Sequence, residues 1–295
     1  MDVSIRQSIR NIFGNEIQIE ERMPVSGGDI NQAYRLRLSD GSSVFLKTNR
    51  PDLEDMFRAE KEGLSALSAS GVIPVVQPLF AGRDPEEEVS YLLLEHIPSG
   101  RQNKDFWEDF GRSLALLHTQ DTDAFTHGKR FGFSRNNYIG KTPQSNTPHS
   151  SFISFFRKER LVPQIRMAER WFERKDYSAI ERLLDGLDDL LIEPAFPSLI
   201  HGDLWNGNFL VNAEGRAVLI DPAAYVGCAE AELAMTELFG GFSARFYDGY
   251  REITSIAYGY EDRRDLYNLY HLLNHLNLFG SGYLSSVLQI IHHYA

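Results

Sequence analysis

The stretch Leu199-Ile-His201-Gly-Asp203-Leu-Trp-Asn-Gly-Asn208 constrains the fold more than any other, and Leu219-Ile-Asp221-Pro222 follows it shortly afterwards. Between these two stretches, apolar runs flank the turn Ala213-Glu-Gly215. Apolar runs around a glycine-containing turn predict a β-hairpin. Such a hairpin would return Asp221 to the vicinity of Asn208. The sequence therefore predicts a single site that contains two carboxylates and one carboxamide.

These side chains have the spacing His-x-Asp-x-x-x-x-Asn that is typical of kinase-type phosphoryl transfer. In that chemistry the protein positions a phosphoryl group in line with a hydroxyl acceptor and neutralises charge with Mg²⁺ and a lysine. Asp203 would orient the hydroxyl and accept its proton, while Asn208 and Asp221 would bind Mg²⁺, which prefers oxygen ligands. The alternative is local turn chemistry, but this spacing across an apolar hairpin is hard to obtain from turns alone.

Residues 17–50 read as short strands separated by glycine turns, which predicts a small β-rich lobe. Lys47 ends one of these strands, where it could reach the α- and β-phosphates of a nucleotide. A helix predicted over about 53–70 places Glu60 on its apolar face, together with Phe57, Leu64 and Leu67. A carboxylate in that position requires a cation. We expect Lys47 to be that cation, although a solvated lysine and a snorkelling glutamate remain the alternative.

Two further segments are candidate nucleotide contacts. Gly27 and Gly28 lie in a turn whose N–H groups could cover phosphates, although an ordinary hairpin is the alternative. The run Leu92-Leu-Leu-Glu95-His-Ile97 is the predicted hinge, in which backbone groups of Glu95 and Ile97 would read the adenine edge. A buried strand is compatible with the same role.

The predicted hinge ends in Pro98-Ser-Gly100, a break that is typical of a linker. Helical periodicity dominates beyond it. The sequence therefore predicts an α+β protein with two lobes: residues 1–97 form a small β-rich nucleotide-binding lobe, and residues 98–295 form a larger, mainly helical lobe for catalysis and acceptor binding.

The composition excludes several classes of function. The 295 residues include 41 acidic and 30 basic side chains, a formal charge of −11, and no Lys/Arg cluster that nucleic acid would require. The apolar runs are far shorter than the roughly 20 residues that span a bilayer. The N-terminal residues lack a secretory apolar region, so a cytoplasmic location is expected. Cys228 is the only cysteine, which excludes an internal disulfide and a Cys-rich zinc site.

Motifs along nearly the whole chain resemble the fructosamine/ketosamine-3-kinase family, a branch of the aminoglycoside-phosphotransferase-like kinases. Besides the stretches quoted above, the resemblance includes Phe57-Arg-Ala-Glu60, Gly111-Arg-Ser-Leu-Ala-Leu-Leu-His118, Phe155-Phe-Arg-Lys-Glu-Arg-Leu161, Asp221-Pro-Ala-Ala-Tyr225, Leu233-Ala-Met-Thr-Glu-Leu-Phe-Gly-Gly-Phe242 and Leu269-Tyr-His-Leu-Leu-Asn-His-Leu-Asn-Leu-Phe279. It implies a protein-kinase-like fold and ATP-dependent phosphorylation of the C3 hydroxyl of a ketosamine, either a small molecule or protein-bound. The product in this family is labile, so phosphorylation leads to deglycation.

The same resemblance implies roles for individual residues. Asp203 corresponds to the catalytic base, Asn208 and Asp221 to the metal ligands, and Lys47 with Glu60 to the ion pair that positions the phosphates. The candidate acceptor contacts are Trp205, beside the base, and Tyr225, although a core position is the alternative for Trp205.

The chain departs from the family pattern after Tyr225. Where the family has an arginine and an aspartate, this sequence reads Gly227-Cys228-Ala229-Glu230-Ala231-Glu232. If the aspartate of the family pattern braces the catalytic loop, Glu232 must do so with a side chain that is one methylene longer. Asn136 also replaces a common aspartate. The alternatives that remain are a kinase of another hydroxylated amine, such as an amino sugar, an aminoglycoside or a choline-like alcohol, and a nucleotide-binding pseudokinase.

Overall fold

The computed structural model describes residues 2–25 and 30–295, and the predicted phosphate-covering residues Gly27 and Gly28 lie outside them. The chain divides into two compact units. Unit 1 comprises Met1–Lys104 and Leu210–Asp221, and unit 2 comprises Asp105–Phe209 and Pro222–Ala295.

Unit 1 is built on an antiparallel five-stranded sheet with the strand order β1-β2-β3-β5-β4. Its elements in chain order are α1 (Ile5–Phe13), β1 (Ile19–Val25), β2 (Gln32–Leu38), β3 (Ser43–Asn49), α2 (Glu54–Ser68), β4 (Pro78–Asp84) and β5 (Val89–Glu95). The α2 helix confirms the predicted helix at about 53–70.

The core of unit 1 lies on one face of this sheet because side chains alternate between the two faces of a strand. Alternate residues of β2, β3 and β5 pack there with the first turns of α1; the buried cluster contains Ile5, Ile9, Leu36, Leu38, Val44, Leu46, Tyr91 and Leu93. Lys47 follows Leu46 directly and therefore points to the other face.

A hairpin of β9 (Phe209–Val211) and β10 (Ala217–Leu219) confirms the predicted turn, and its β10 strand and loop belong to unit 1. The Leu219 N–H donates to Pro74 O (2.9 Å), and the Gly100 N–H donates to Val211 O (2.8 Å). The contact of Gly100 explains why unit 1 continues to Lys104, beyond the lobe boundary predicted at residue 98.

Unit 2 is mainly helical. Its helices are α3 (Phe106–His118), α4 (Phe152–Phe155), a π-helix (Phe156–Leu161), α5 (Val162–Met167), α6 (Arg174–Asp185), α7 (Leu187–Leu190), α8 (Ala229–Leu238), α9 (Ala244–Ile253), α10 (Tyr260–Phe279) and α11 (Leu284–Tyr294). Its short strands are β6 (Asn137–Ile139), β7 (Thr142–Gln144), β8 (Ser198–Ile200) and β11 (Tyr225–Gly227), which pair as β6 with β7 and β8 with β11.

The packing of α3 on α9 shows how sequence sets the core of unit 2. The predicted apolar stripe of α3 is buried, and its members are Phe106, Phe110, Leu114 and Leu117. The Phe110 ring meets the Phe246 ring edge to face at 5.2 Å. Gly111 permits this close approach, because a Cβ there would lie 2.0 Å from Phe246 O.

Across the part of the chain that the structure describes, every helix is too short or too polar to cross a bilayer. The sheet of unit 1 and the helices of unit 2 confirm the predicted α+β class.

Candidate active site

In unit 1, Lys47 bridges two carboxylates. It lies in β3, and its Nζ donates to Glu60 Oε1 of α2 at 2.6 Å and also to Asp221 Oδ1. The side chains of Lys47 and Glu60 are 9% and 14% exposed, whereas that of Asp221 is 45% exposed. The cation that the apolar face of α2 requires is therefore Lys47, as the sequence predicts.

The two carboxylates keep Lys47 protonated. Burial alone would lower the pKa of the Lys47 ammonium, but the negative charges of Asp221 and Glu60 outweigh burial and raise this pKa above its usual range. The Lys47 ammonium therefore stays positively charged between a buried carboxylate and a half-exposed one.

Asp221 also has an unusual backbone. Its φ angle is +56°, a left-handed conformation that L-residues rarely adopt. Such conformations cost free energy and cluster at functional sites. The ion pair with Lys47 holds the carboxylate of this strained residue, two positions after the end of β10.

In unit 2, Asp203 and Asn208 are joined within one loop that follows β8. The Asn208 Nδ2 donates to Asp203 O at 2.7 Å and to Asp203 Oδ2 at 3.0 Å. Both bonds use the amide nitrogen of Asn208, so Oδ1 is the end of the carboxamide that could bind a metal ion. The five-residue spacing read from the sequence thus closes a ring that fixes the orientation of the Asp203 carboxylate.

The start of this loop is braced by Glu232 of α8. Its Oε2 accepts the N–H of His201 and its Oε1 accepts the N–H of Gly202, each at 2.8 Å. Burial alone would raise the pKa of Glu232, but the hydrogen bond and charge of His118 and the charge and N–H of His201 lower it. Glu232 is therefore a buried carboxylate that stays ionised and binds two consecutive peptide N–H groups. The side chain of glutamate, one methylene longer than the aspartate of the family pattern, fits this position.

His118 is a buried residue that contacts Glu232, a contact that sequence reasoning did not predict. Its Nε2 lies 3.1 Å from Glu232 Oε2, and its Nδ1 lies 2.9 Å from the hydroxyl of Tyr250 in α9. The side chains of His118, Glu232 and Tyr250 thus connect α3, α8 and α9, and Glu232 also binds the start of the loop. The sequence indicates that His118 lies at the end of a helix. It does not indicate the partners of His118, because they are far away along the chain.

The neighbouring Glu230 lies in the segment that departs from the family pattern. It is buried and accepts two hydrogen bonds from Arg263 of α10, from Nε at 2.9 Å and from Nη2 at 2.8 Å. An arginine is thus present beside this segment, although it comes from another helix. Asn136, the second departure, accepts the N–H of Asn146 at 2.8 Å through Oδ1.

The remaining predicted contacts differ in exposure. Trp205 is 39% exposed and meets Phe239 edge to face at 6.2 Å, whereas Tyr225 in β11 is only 2% exposed. In unit 1, Glu95 ends β5, and both its N–H and its carboxylate bind the backbone of Gln77. If this segment binds an adenine edge, the N–H donor must therefore come from another residue, such as Ile97.

Comparison with known proteins agrees with this geometry. The sequence model of the fructosamine kinase family matches residues 1–295. A curated "probable ketoamine kinase" of Synechocystis is 41% identical over 98% of this chain and 95% of its own length. The chloroplastic protein-ribulosamine 3-kinase of Arabidopsis thaliana is 39% identical over 95% of this chain and 84% of its own length. The crystal structure of a candidate fructosamine-3-kinase from Thermobifida fusca matches with a TM-score of 0.84 and 33% identity, over 98% of this chain and 97% of that one.

The fold and these matches define a phosphotransferase of the protein-kinase-like class that acts on an alcohol group. The chain belongs to the fructosamine kinase family, which confirms the resemblance drawn from the sequence motifs.

Proposed function

We propose that this protein transfers the γ-phosphoryl group of ATP to the C3 hydroxyl of a ketosamine, a fructosamine or ribulosamine, and so starts its deglycation. The observation that carries the proposal is the hydrogen bond from Asn208 Nδ2 to Asp203 Oδ2, in a loop whose backbone Glu232 holds. Family membership and relatives named as ketoamine kinase and protein-ribulosamine 3-kinase support the ketosamine as acceptor.

In this proposal Asp203 is the base. Its carboxylate orients the sugar hydroxyl and accepts the proton as the oxygen attacks the phosphoryl group. The hydrogen bond from Asn208 to Oδ2 fixes the orientation of the Asp203 carboxylate. A preset orientation matters because small displacements of a reacting group slow the chemical step strongly.

Asp221 and Asn208 are the proposed ligands of Mg²⁺. The donor set fits this ion, because one half-exposed carboxylate and one amide oxygen are hard oxygen ligands, and Mg²⁺ commonly takes only one or two ligands from protein. When bound with ATP, Mg²⁺ neutralises charge on the phosphates. Lys47 holds the Asp221 carboxylate in place and presents its own positive charge to the nucleotide, while Glu60 keeps the ammonium oriented.

Trp205 and the hinge complete the proposal. The exposed ring of Trp205, two residues after the base, would pack on the sugar or on the amine part of the acceptor. Backbone groups of Glu95 and Ile97 would bind adenine, and Gly27 with Gly28 would cover the phosphates. The acceptor is either a free ketosamine or one attached to a protein amine, and the location is the cytoplasm.

An acceptor screen tests this proposal. Purified protein is incubated with MgATP and fructosyl-lysine or ribulosyl-lysine, free and protein-bound, and phosphate incorporation is followed with radiolabelled ATP. We expect incorporation into at least one ketosamine, at a rate that falls at least about 100-fold in the Asp203→Asn variant. Incorporation only into an amino sugar, an aminoglycoside or choline would contradict the ketosamine assignment, and ATP binding with no turnover on any acceptor would indicate a pseudokinase.

A further inference from the structure

A buried arginine in unit 2 has no role in the chemistry proposed above. Arg160 exposes 0% of its surface and lies in the π-helix, a type of helix that is rare and frequent at functional sites. Its guanidinium lies over two aromatic rings, 3.9 Å from the centroid of Tyr225 and 4.5 Å from that of Phe155. Such stacking uses the planar fork of arginine, which lysine cannot reproduce.

The guanidinium of Arg160 binds the loop that contains Ser145 and Asn146. Its Nη1 donates to Ser145 O at 2.5 Å, and its Nη2 donates to Asn146 Oδ1 at 2.7 Å. Its Nε is buried and lacks a hydrogen-bond partner among the described residues. A buried N–H group without a hydrogen-bond partner destabilises the folded protein. Such unfavourable features are expected at positions where function requires the residue.

Three buried amide side chains connect this loop to the segment after Asp221. Asn146 Nδ2 and Gln144 Nε2 both donate to Asn137 Oδ1 at 2.8 Å. Gln144 Nε2 also donates to Ala223 O at 3.0 Å, and Asn137 Nδ2 donates to Ala224 O at 2.8 Å. The hydrogen bonds form one continuous path, which we call the amide relay (Asn146, Asn137 and Gln144). The relay fixes the position of two consecutive peptide carbonyls.

Those two peptides lie directly against the catalytic loop. The Ala223 N–H donates to His201 O at 2.9 Å. Gly202 has a φ of +80°, and a Cβ on it would lie 2.3 Å from Ala223 O, so the two backbones are in contact. Tyr225, stacked by Arg160, pairs with Ile200 at the end of β8. Any displacement of residues 223–225 would therefore move the loop that carries Asp203.

We propose that Arg160 is a positioning residue for phosphoryl transfer: through the amide relay and its stack on Tyr225, it fixes residues 223–225 and thereby the loop of Asp203. This inference rests on the proposed kinase function. Amide hydrogen bonds are directional, and each relay member is buried, at 1–5% exposure. The relay therefore acts on the loop of the base, and we expect its loss to change nucleotide binding in unit 1 much less.

The test compares two variants. Arg160→Lys keeps the positive charge but removes the planar guanidinium. Gln144→Glu removes the two hydrogen bonds that Gln144 Nε2 donates to Asn137 Oδ1 and Ala223 O. For each variant and for the double variant, kcat and the KM values for ATP and for fructosyl-lysine are measured, together with thermal unfolding. We expect kcat to fall about 10- to 100-fold in each single variant, with the KM for ATP within about twofold of wild type. The double variant should be no more than about threefold slower than the slower single variant, because both changes break one path.

Arg157→Lys is the matched control. Arg157 lies in the same π-helix, and it binds Leu184 O at 2.9 Å and Asp188 at 2.5 Å, outside the relay. Its substitution should leave kcat unchanged.

Each result decides the proposal. Unchanged kcat in Arg160→Lys, multiplied effects in the double variant, or equal losses in Arg157→Lys would overturn it. If Arg160→Lys fails to fold, Gln144→Glu alone decides, with selective loss of kcat supporting the relay and unchanged kcat refuting it. If the wild-type protein uses an acceptor other than a ketosamine, the same comparison is made with that acceptor, so failure of the proposed function leaves this test intact.

Discussion

At the scale of single residues, hydrogen bonds and ion pairs orient the side chains of the site. Asn208 binds the Asp203 carboxylate, and Lys47 is shared between two carboxylates of unequal exposure. Each arrangement predicts what a single substitution does.

Asp203→Asn should remove the base without disturbing the loop. Asparagine retains an oxygen that can accept from Asn208, but it cannot take the proton of the acceptor. We expect kcat to fall about 10²- to 10⁴-fold while the Kd for ATP stays near that of wild type. Single-turnover kinetics and equilibrium nucleotide binding measure the two quantities. An unchanged kcat would show that another group is the base.

Lys47→Met should destabilise unit 1. The substitution leaves Glu60 buried without its cation, which costs about 3 kcal/mol of unfolding free energy. Adding Glu60→Gln to Lys47→Met should restore part of this loss, because the buried charge is then removed. Urea unfolding at pH 7 measures both variants. Equal stability of the single and the double variant would contradict the buried pair.

The pH dependence of this pair has a defined sign. Because the folded pKa of Lys47 is raised above its unfolded value, its stabilisation is fully present below the unfolded pKa of about 10.4 and is lost as the pH rises through the folded value. The difference in unfolding free energy between Glu60→Gln and the double variant Lys47→Met/Glu60→Gln, which differ only at position 47, should therefore be constant from about pH 6 to 9. A difference that already declines between pH 7 and 9 would contradict the assignment.

At the scale of elements, helix contacts position the catalytic loop. The brace of α8 on the loop uses a carboxylate, whereas α3 and α9 meet through a glycine. Both contacts join residues that are distant in sequence.

Glu232→Gln should weaken the brace. A carboxamide has only one acceptor oxygen, so one of the two N–H groups of His201 and Gly202 loses its partner, and kcat should fall with the stability. Because the folded pKa of Glu232 is lowered, its stabilisation is present above the unfolded pKa of about 4.3 and is lost as the pH falls through the folded value. The stability difference from wild type should be largest near pH 7 and shrink below about pH 4. Urea unfolding across this range measures it, and a difference independent of pH would refute the ionised brace.

Gly111→Ala should separate α3 from α9. The added Cβ would overlap Phe246 O, which forces a backbone shift that costs about 2 kcal/mol or more. Gly282→Ala is the matched control, because a Cβ there has no neighbour within 4 Å. Thermal unfolding of both variants measures the effect, and equal Tm values would contradict the close helix contact.

At the scale of the whole molecule, the sequence predicted what local patterns encode. The hairpin between Asn208 and Asp221, the α2 helix and the β-rich first unit follow from periodicity and turn chemistry. The contact of Lys47 with Glu60 was predictable because a carboxylate on an apolar face requires a cation.

The parts that sequence reasoning missed depend on contacts between distant segments. His118 meets Glu232, and Arg160 reaches the peptide groups of Ala223 and Ala224 through amide side chains from other strands and loops. One sequence without its fold contains no signal for such pairs. The continuation of unit 1 to Lys104 has the same cause, since it depends on the hydrogen bond of Gly100 to the hairpin.

The most direct test of the central claim is the position of the transferred phosphate. Wild-type protein is incubated with MgATP and fructosyl-lysine, and the product is analysed by phosphorus and carbon NMR. The proposed site predicts a phosphate ester on C3 of the sugar, with one ADP formed for each ester. Absence of any phosphate ester on fructosyl-lysine and ribulosyl-lysine, with folded and ATP-binding protein, would contradict it.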